Sequence, residues 1–369
     1  MKYTNFKDEK LSLLGMGAMR LPQKGEGWGM PIIHDEAEAL IDFCLEQGIN
    51  YFDTAYIYHG GESEVLLGNA LKKHPRDSFY VADKYSMNAE PDYKLQFETQ
   101  LKRLQMDRID FYLLHAVQDT TVDQYLTNGC IEYFLEQRAA GRIKYLGFSF
   151  HGSPEALVKM TNHRDWDFVL MQLNYLDWFH NNAKELYEHL RSKNIPVMVM
   201  EPIHGGLLAK LNDEAAAPLL EAAPEKSLAS WALRFVANLP GIAVVLSGMS
   251  NQEQAEDNLA TIKALAPLTS DEEALIIKAA DIFNKTIGAT CTDCKYCVEH
   301  CPQGLNIPYL LHTYNSSKTG GIWRLNRLKA LPEDKQPAAC ISCNVCMKYC
   351  PQNLEIPKFM DEMAENLKA

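Results

Sequence analysis

Ten cysteines occur in the 369 residues, and eight of them fall in two short runs, CTDCKYCVEHCPQG over 291–304 and CISCNVCMKYCPQN over 340–353. Both runs read C-x2-C-x2-C-x3-C-P, with Cys291, Cys294, Cys297 and Cys301 in the first and Cys340, Cys343, Cys346 and Cys350 in the second. Thiolates at this spacing suit iron–sulfur clusters, because a short loop can wrap one cluster and the final proline turns the chain away. Zinc is the alternative, but it usually takes two CxxC pairs per ion and does not need this third and fourth cysteine. Cys44 and Cys130 lie outside the runs and read as core or helix-face residues.

A second set of reactive groups lies upstream. YFDTAYIYHGGESE contains Asp53 and Tyr58, YVADKY contains Lys84, and FYLLHAV contains His115. The combination suits carbonyl reduction. Hydride delivered to a carbonyl carbon leaves alkoxide character on oxygen, and that oxygen needs a proton. A phenol with a pKa near 10 is a poor acid at neutral pH unless a cation lowers it. Lys84 can do this for Tyr58, with Asp53 keeping the lysine charged and oriented. His115 can hydrogen-bond the carbonyl oxygen.

These residues need a scaffold that brings successive strand ends together. Short, continuously apolar segments alternate with amphipathic ones up to about residue 264, as expected of strands covered on both faces. An opening strand, LSLLGMGAM, is followed by a helix that ends at Gly48. INYFDTA, SFYVADKY, IDFYLLHAV, IKYLGFSF, FVLMQLNYL, IPVMVMEPI and GIAVVLSGM each precede a helical stretch, one of them a helix over residues 123–140. Eight such units predict a (β/α)8 barrel, whose reactive residues sit at the C-terminal strand ends. An open doubly wound sheet is the alternative, but LLGMGAMRL lacks its GxGxxG signature. After a further helix the composition changes near residue 286. The expected division is a barrel over 1–286 and a small, mostly helical domain over 287–369. The segment between the cysteine runs predicts two helical stretches broken at Gly-Gly.

YFDTAxxY, the strand-end lysine, the strand-end LLH and GGESEVLLGNAL together resemble the Asp-Tyr-Lys-His tetrad and adjoining loop of the aldo-keto reductase superfamily, over about residues 1–285. The resemblance implies an oxidoreductase that uses NAD or NADP to interconvert a small carbonyl and an alcohol, with Tyr58 as general acid. It implies nicotinamide contacts from Ser149, Gln172 and Asn174, with Met200 where members often stack an aromatic. It places Gly205, Gly206 and Leu207 over the pyrophosphate, and Gly248, Ser250, Gln254 and Asn258 along the adenosine. Members that prefer NADP put basic residues in that last segment. Here Met249, Asn251 and Gln254 stand there, with no Lys or Arg before Lys263, so NAD is expected at least as strongly as NADP. Trp28, Met30, Tyr85, Trp178 and Phe179 are candidates for the substrate pocket or for the core.

The cysteine runs resemble two-cluster 4Fe–4S ferredoxin modules, in the helical form found inside larger redox enzymes. That resemblance implies crossed ligand sets, with Cys291, Cys294, Cys297 and Cys350 on one cluster and Cys340, Cys343, Cys346 and Cys301 on the other. The clusters would carry single electrons to or from an electron-transfer protein partner, or staple a small domain. An electron-transfer or redox-sensing subunit that binds nicotinamide is the alternative to an enzyme; an intact tetrad argues against it. No flavin motif is evident.

The net charge of −12 argues against nonspecific nucleic-acid binding. No segment has the length of a membrane span, and MKYTNFKDEK lacks the apolar core of a signal peptide, so the expected location is cytoplasmic. Reduced cytosolic thiols also favour metal ligation over disulfides.

Overall fold

A computed structural model describes residues 1–25, 30–320 and 322–368. The chain divides into two compact units, one formed by Met1–Ile203 with Ala229–Glu273 and the other by His204–Leu228 with Ala274–Ala369.

In the first unit a hairpin, β1 (Tyr3–Phe6) and β2 (Glu9–Ser12), precedes eight barrel strands: β3 (Leu14–Gly17), β4 (Tyr51–Asp53), β5 (Tyr80–Tyr85), β6 (Ile109–Val117), β7 (Ile143–Phe150), β8 (Phe168–Gln172), β9 (Val197–Met200) and β10 (Ile242–Ser247). These eight run parallel in chain order, and β10 closes on β3. The expected barrel is therefore present. Two expected elements differ. LSLLGMGAM is not one strand: Leu11 pairs with Thr4 in the hairpin, and the barrel strand starts afresh at Leu14. Phe6 and Leu11 from the hairpin are buried among Tyr51, Phe111, Tyr145 and Phe168, which explains the break. The helix expected over 123–140 is two, Val122–Thr127 and Cys130–Ala139, parted at Gly129 with φ 81°.

Strand parity positions the site. Successive residues of a strand face opposite sides. Tyr51, Ala82, Leu113, Leu170 and Met198 all belong to the buried interior cluster. Two residues further along each strand stand Asp53, Lys84, His115, Gln172 and Met200. Polar groups thus occupy the layer directly above an apolar plug. Residues of the opposite parity, such as Tyr112, which packs on Phe97 and Phe134, face the helices instead.

The second unit has its own core, built from Leu305, Ile307, Leu310, Leu311, Leu325, Leu328, Leu354, Ile356, Met360 and Met363 around Cys291, Cys297 and Cys346. The paired LNIP and LEIP segments each start a helix, Ile307–Gly320 and Ile356–Lys368. Proline suits the first turn of a helix, where its missing N–H is not needed. Of the two stretches expected between the cysteine runs, the first is this α-helix and the second, Ile322–Ala330, is 3-10. Among the described residues no helix is long and apolar enough to cross a membrane.

Candidate functional site

The first unit gathers the tetrad. Lys84 Nζ donates to Asp53 Oδ1 at 2.5 Å and to the Thr54 carbonyl at 2.6 Å, with both side chains buried. The same ammonium lies 4.9 Å from the Tyr58 ring centroid. Tyr58 comes from a short 3-10 turn, Tyr58–Gly61, and its ring meets that of His115 edge-on with centroids 5.9 Å apart. His115 sits at a register shift between β6 and β7. Such a bulge re-aims a side chain. The next residue, Ala116, has φ 52°, and its N–H is held by Ser149 Oγ at 2.8 Å. Glu201, which follows Met200, has φ 54°. Positive φ at non-glycine residues needs surrounding structure to hold it and clusters at functional sites.

Burial raises the Tyr58 phenol above its ordinary value; Lys84 pulls it down without reversing the sign. The sequence expectation gave Lys84 the deciding influence, whereas desolvation decides. Tyr58 therefore keeps its proton at neutral pH. Burial opposes the Lys84 charge, but Asp53 and Tyr58 outweigh it and raise the ammonium above its ordinary value. Burial, against the pull of Lys84, lifts Asp53 above the usual carboxylate range. Burial, Lys84 and His151 hold His115 well below the usual range, so its ring is neutral. Burial brings His151 down to about 4. The site is thus a neutral phenol and a neutral imidazole beside one ion pair.

The residues matched to nicotinamide contacts are tied into the same unit. Gln172 Nε2, Asn174 Nδ2 and Asn181 Nδ2 donate to the Asp177 carboxylate at 2.7, 2.6 and 2.7 Å. Asn174 Oδ1 also caps the helix Tyr175–His180 by accepting from Asp177 N at 2.9 Å. Asp177 is an anchor the sequence reading missed; nothing in a lone Asp on a short helix announces it. Ser250 N–H is bound by Gln254 Oε1 at 2.8 Å, and Asn258 is fastened to Ser247 Oγ at 2.9 Å. Arg20 was also missed. Ser250 Oγ donates to its carbonyl at 2.8 Å, and its side-chain carbons stand 3.2 Å from where a Cβ on Gly248 would lie. A cation from the loop after β3 thus flanks the segment that lacks basic residues of its own. Met200, the last residue of β9, is half-buried against the barrel interior.

Tyr85 belongs to the outer aromatic core, packed on Tyr93, Tyr125 and Phe134. Trp178 and Phe179 pack on Phe235 with centroids 5.8 Å away in each case. Met30 is half-buried, and Trp28 lies outside the described residues. Cys44 and Cys130 are buried, and burial pushes both thiols up to about 12, as for inert core cysteines.

Gly205, Gly206 and Leu207 belong to the second unit, in the turn His204–Ala209. His204, Gly205 and Gly206 all have positive φ, at 47°, 63° and 99°. The flanks of the first cysteine run hold this turn: His204 Nε2 meets the Thr290 carbonyl at 3.1 Å, and a Cβ on Gly205 would fall 2.1 Å from the Thr292 carbonyl.

The two cysteine runs share one backbone. Asp293 and Lys295 in the first match Ser342 and Asn344 in the second, at φ 56° and 70° against 49° and 60°. Left-handed residues in such loops can turn backbone N–H groups toward an anionic group. One pocket is lined by Cys301, Cys340, Cys343 and Cys346, three cysteines from one run and the fourth of the other. Cys297 likewise neighbours Cys291, Cys350 and Cys346. Among the described residues no three His, Cys, Asp or Glu side chains are grouped to hold a single metal ion. Four thiols drawn from two runs onto one pocket are a donor set that fits an iron–sulfur cluster.

Comparison with known proteins identifies the families of both parts of the chain. Residues 13–281 match the model of the aldo/keto reductase family, and residues 290–355 match a 4Fe-4S dicluster domain. L-galactose dehydrogenase of Arabidopsis thaliana is 28% identical over 291 residues, covering 72% of this chain and 89% of that protein. An aldo-keto reductase of Bacillus halodurans in its holo form superposes with a TM-score of 0.63 at 28% identity, over 76% of this chain and 96% of that one. A Klebsiella pneumoniae aldo-keto reductase in complex with NADPH shares the fold, with a TM-score of 0.60 at 18% identity over 75% and 93% of the two chains.

Proposed function

The chain belongs to the aldo/keto reductase family and carries a 4Fe-4S dicluster domain, and from that premise we propose that it interconverts a small carbonyl and an alcohol by hydride transfer with NAD or NADP, Tyr58 acting as general acid. The observation that carries the proposal is the buried chain from Asp53 through Lys84 to Tyr58.

A bound reduced nicotinamide supplies the hydride. The chain's own residues handle charge and proton. Tyr58, protonated through neutral pH, donates its proton to the carbonyl oxygen as negative charge develops there. The phenolate that results lies beside the Lys84 ammonium, which Asp53 and the Thr54 carbonyl hold in place, so the charge moves from substrate to a position already compensated. Neutral His115 has a ring N–H to offer the same oxygen. In the reverse direction the Tyr58 phenolate takes the alcohol proton. Ser149, Gln172, Asn174, Met200, Gly205, Gly206, Leu207, Gly248, Ser250, Gln254 and Asn258 form the proposed dinucleotide contacts. Arg20 beside Gly248 supplies a cation that the final segment lacks, which keeps NADP level with NAD.

Cys291, Cys294, Cys297 and Cys350 hold one proposed 4Fe–4S cluster, and Cys340, Cys343, Cys346 and Cys301 the other. Such clusters supply one-electron transfer. The proposed functional division remains 1–286 and 287–369, in a cytoplasmic protein, with an electron-transfer protein as a partner to be sought. Replacing Tyr58 by Phe tests the enzymatic reading. Reduction of a nitrobenzaldehyde by NADH or NADPH is expected to fall roughly 10²–10⁴-fold. Unchanged reduction removes Tyr58 from the mechanism and favours a redox-sensing subunit instead.

A further inference from the structure

Behind the tetrad, on the outer face of β5, two carboxyl groups are buried together. Asp83 and Glu64 are both fully buried and lie within hydrogen-bonding reach of each other. Asp83 Oδ1 accepts from Lys84 N at 2.8 Å, and Glu64 Oε2 accepts from Arg103 Nη1 at 2.7 Å. The remaining oxygens, Asp83 Oδ2 and Glu64 Oε1, are buried and have no other donor among the described residues. Two ionised carboxylates side by side in the interior repel each other, and a single proton between them removes both the repulsion and the missing donor. Glu64 lies in the first turn of the helix Glu62–Leu71 and is paired with Arg103. Asp83 is the member suited to hold the proton.

The pair joins the two segments that carry the proposed acid and its cation. Asp83 precedes Lys84 on β5, and Glu64 follows the Tyr58–Gly61 turn. Arg103 closes the same turn from the other side. Its Nη1 reaches the Tyr56 carbonyl at 3.4 Å, its guanidinium lies 4.5 Å from the Tyr56 ring centroid, and it fills the space where a Cβ on Gly61 would come within 2.5 Å.

We propose that Glu64, Asp83 and Arg103 form a one-proton clasp that positions Tyr58 against Lys84. This rests on the reading of Tyr58 as general acid only for its kinetic consequence. Asp83, Glu64 and Arg103 are positioning residues, since none belongs to the tetrad layer. The other titratable groups facing the pair are Lys84 and Tyr112, with Cys130 beyond Tyr112. Burial first, then Glu64, raises Asp83 well above the carboxylate range. A proton kept by the folded chain and lost by the unfolded one means that stability falls as pH rises above about 4, the ordinary Asp range.

Asp83→Asn tests the clasp, because the amide donates to Glu64 and accepts from Lys84 N without a proton to lose. The native-minus-variant infrared spectrum of the full chain near neutral pH is expected to show a protonated carboxylic C=O band. Loss of an ionised carboxylate band instead overturns the shared proton. The urea midpoint of Asp83→Asn is expected to rise relative to native between about pH 5 and about pH 8; a difference constant with pH overturns it. Asp83→Ala, which cannot hold Glu64, is expected to lower kcat for a nitrobenzaldehyde roughly tenfold with little change in dinucleotide KM, while Asp83→Asn keeps kcat. Equal kcat in all three chains overturns the positioning role. Full activity in Tyr58→Phe refutes the general-acid reading instead and leaves the infrared and urea results standing on their own.

Discussion

Replacing Lys84 by Met removes a buried cation and leaves Asp53 buried beside an apolar side chain. Asp53 is 5% exposed and Lys84 1%, so water does not screen what is left. Breaking a buried pair on one side costs about 3–5 kcal/mol. The cost has a ceiling, because Asp53 can take up a proton. Protonating a carboxyl of ordinary pKa near 3.9 costs ~1.4 kcal/mol per pH unit above it, or about 4 kcal/mol at pH 7 and about 1.5 kcal/mol at pH 5. The sign follows from linkage. In the variant the folded chain holds a proton that the unfolded chain releases, so stability falls with rising pH. Urea unfolding of native and Lys84→Met chains across this range is expected to show a deficit that shrinks by about 2–3 kcal/mol on acidification. The double variant Asp53→Asn with Lys84→Met is expected to regain most of the loss and to remove the pH dependence. Turnover in Lys84→Met is expected to fall roughly 10²–10³-fold at every pH, since phenolate formation at Tyr58 loses its cation. A deficit independent of pH would refute the argument that Lys84 is what keeps Asp53 ionised.

Other outcomes follow from the same contacts. Gly205→Ala is expected to destabilise the His204–Ala209 turn far more than Gly206→Ala, because the first Cβ meets the Thr292 carbonyl at 2.1 Å whereas the second meets nothing within 4 Å. Both share a left-handed cost of about 1–2 kcal/mol, so hydrogen exchange over the turn that rises equally in both contradicts the contact. Chelating iron from protein prepared without oxygen is expected to speed exchange over 204–209 as well as over the cysteine runs, since Thr290 and Thr292 hold both. Exchange confined to the runs contradicts that coupling. Reduction is expected to be flat with pH through neutrality and to fall only in alkali, as burial holds the Tyr58 proton. A fall near pH 7 assigns the acid to another group.

The barrel and its polar layer were legible because strand parity and apolar continuity are local properties of the chain. Asp53, Lys84 and His115 each follow an apolar inward residue by two positions, and that spacing survives folding unchanged. The cysteine runs were legible because their ligand spacing is covalent. Long-range packing was not legible. The hairpin over Tyr3–Phe6 and Glu9–Ser12 reads as a polar terminus until Phe6 and Leu11 are seen inside the barrel. Nothing in the Asp83 or Glu64 segment announces that the two carboxyl groups are buried together. Arg20 reaches Gly248 only because β10 closes on β3, a contact between the two ends of the barrel sequence.

The central claim is hydride transfer at the barrel site, with the clusters standing apart from the carbon chemistry. The most direct test is a single turnover, without oxygen, of a nitrobenzaldehyde with nicotinamide deuterated at its hydride-donating carbon. The account predicts deuterium on the carbinol carbon of the alcohol, with loss of that product in Tyr58→Phe and the label still on that carbon in whatever alcohol forms when the eight cysteines of the two runs are left without iron. Alcohol carrying solvent hydrogen at that carbon, formed only when the clusters are loaded, would contradict it and place the electrons on the cluster route.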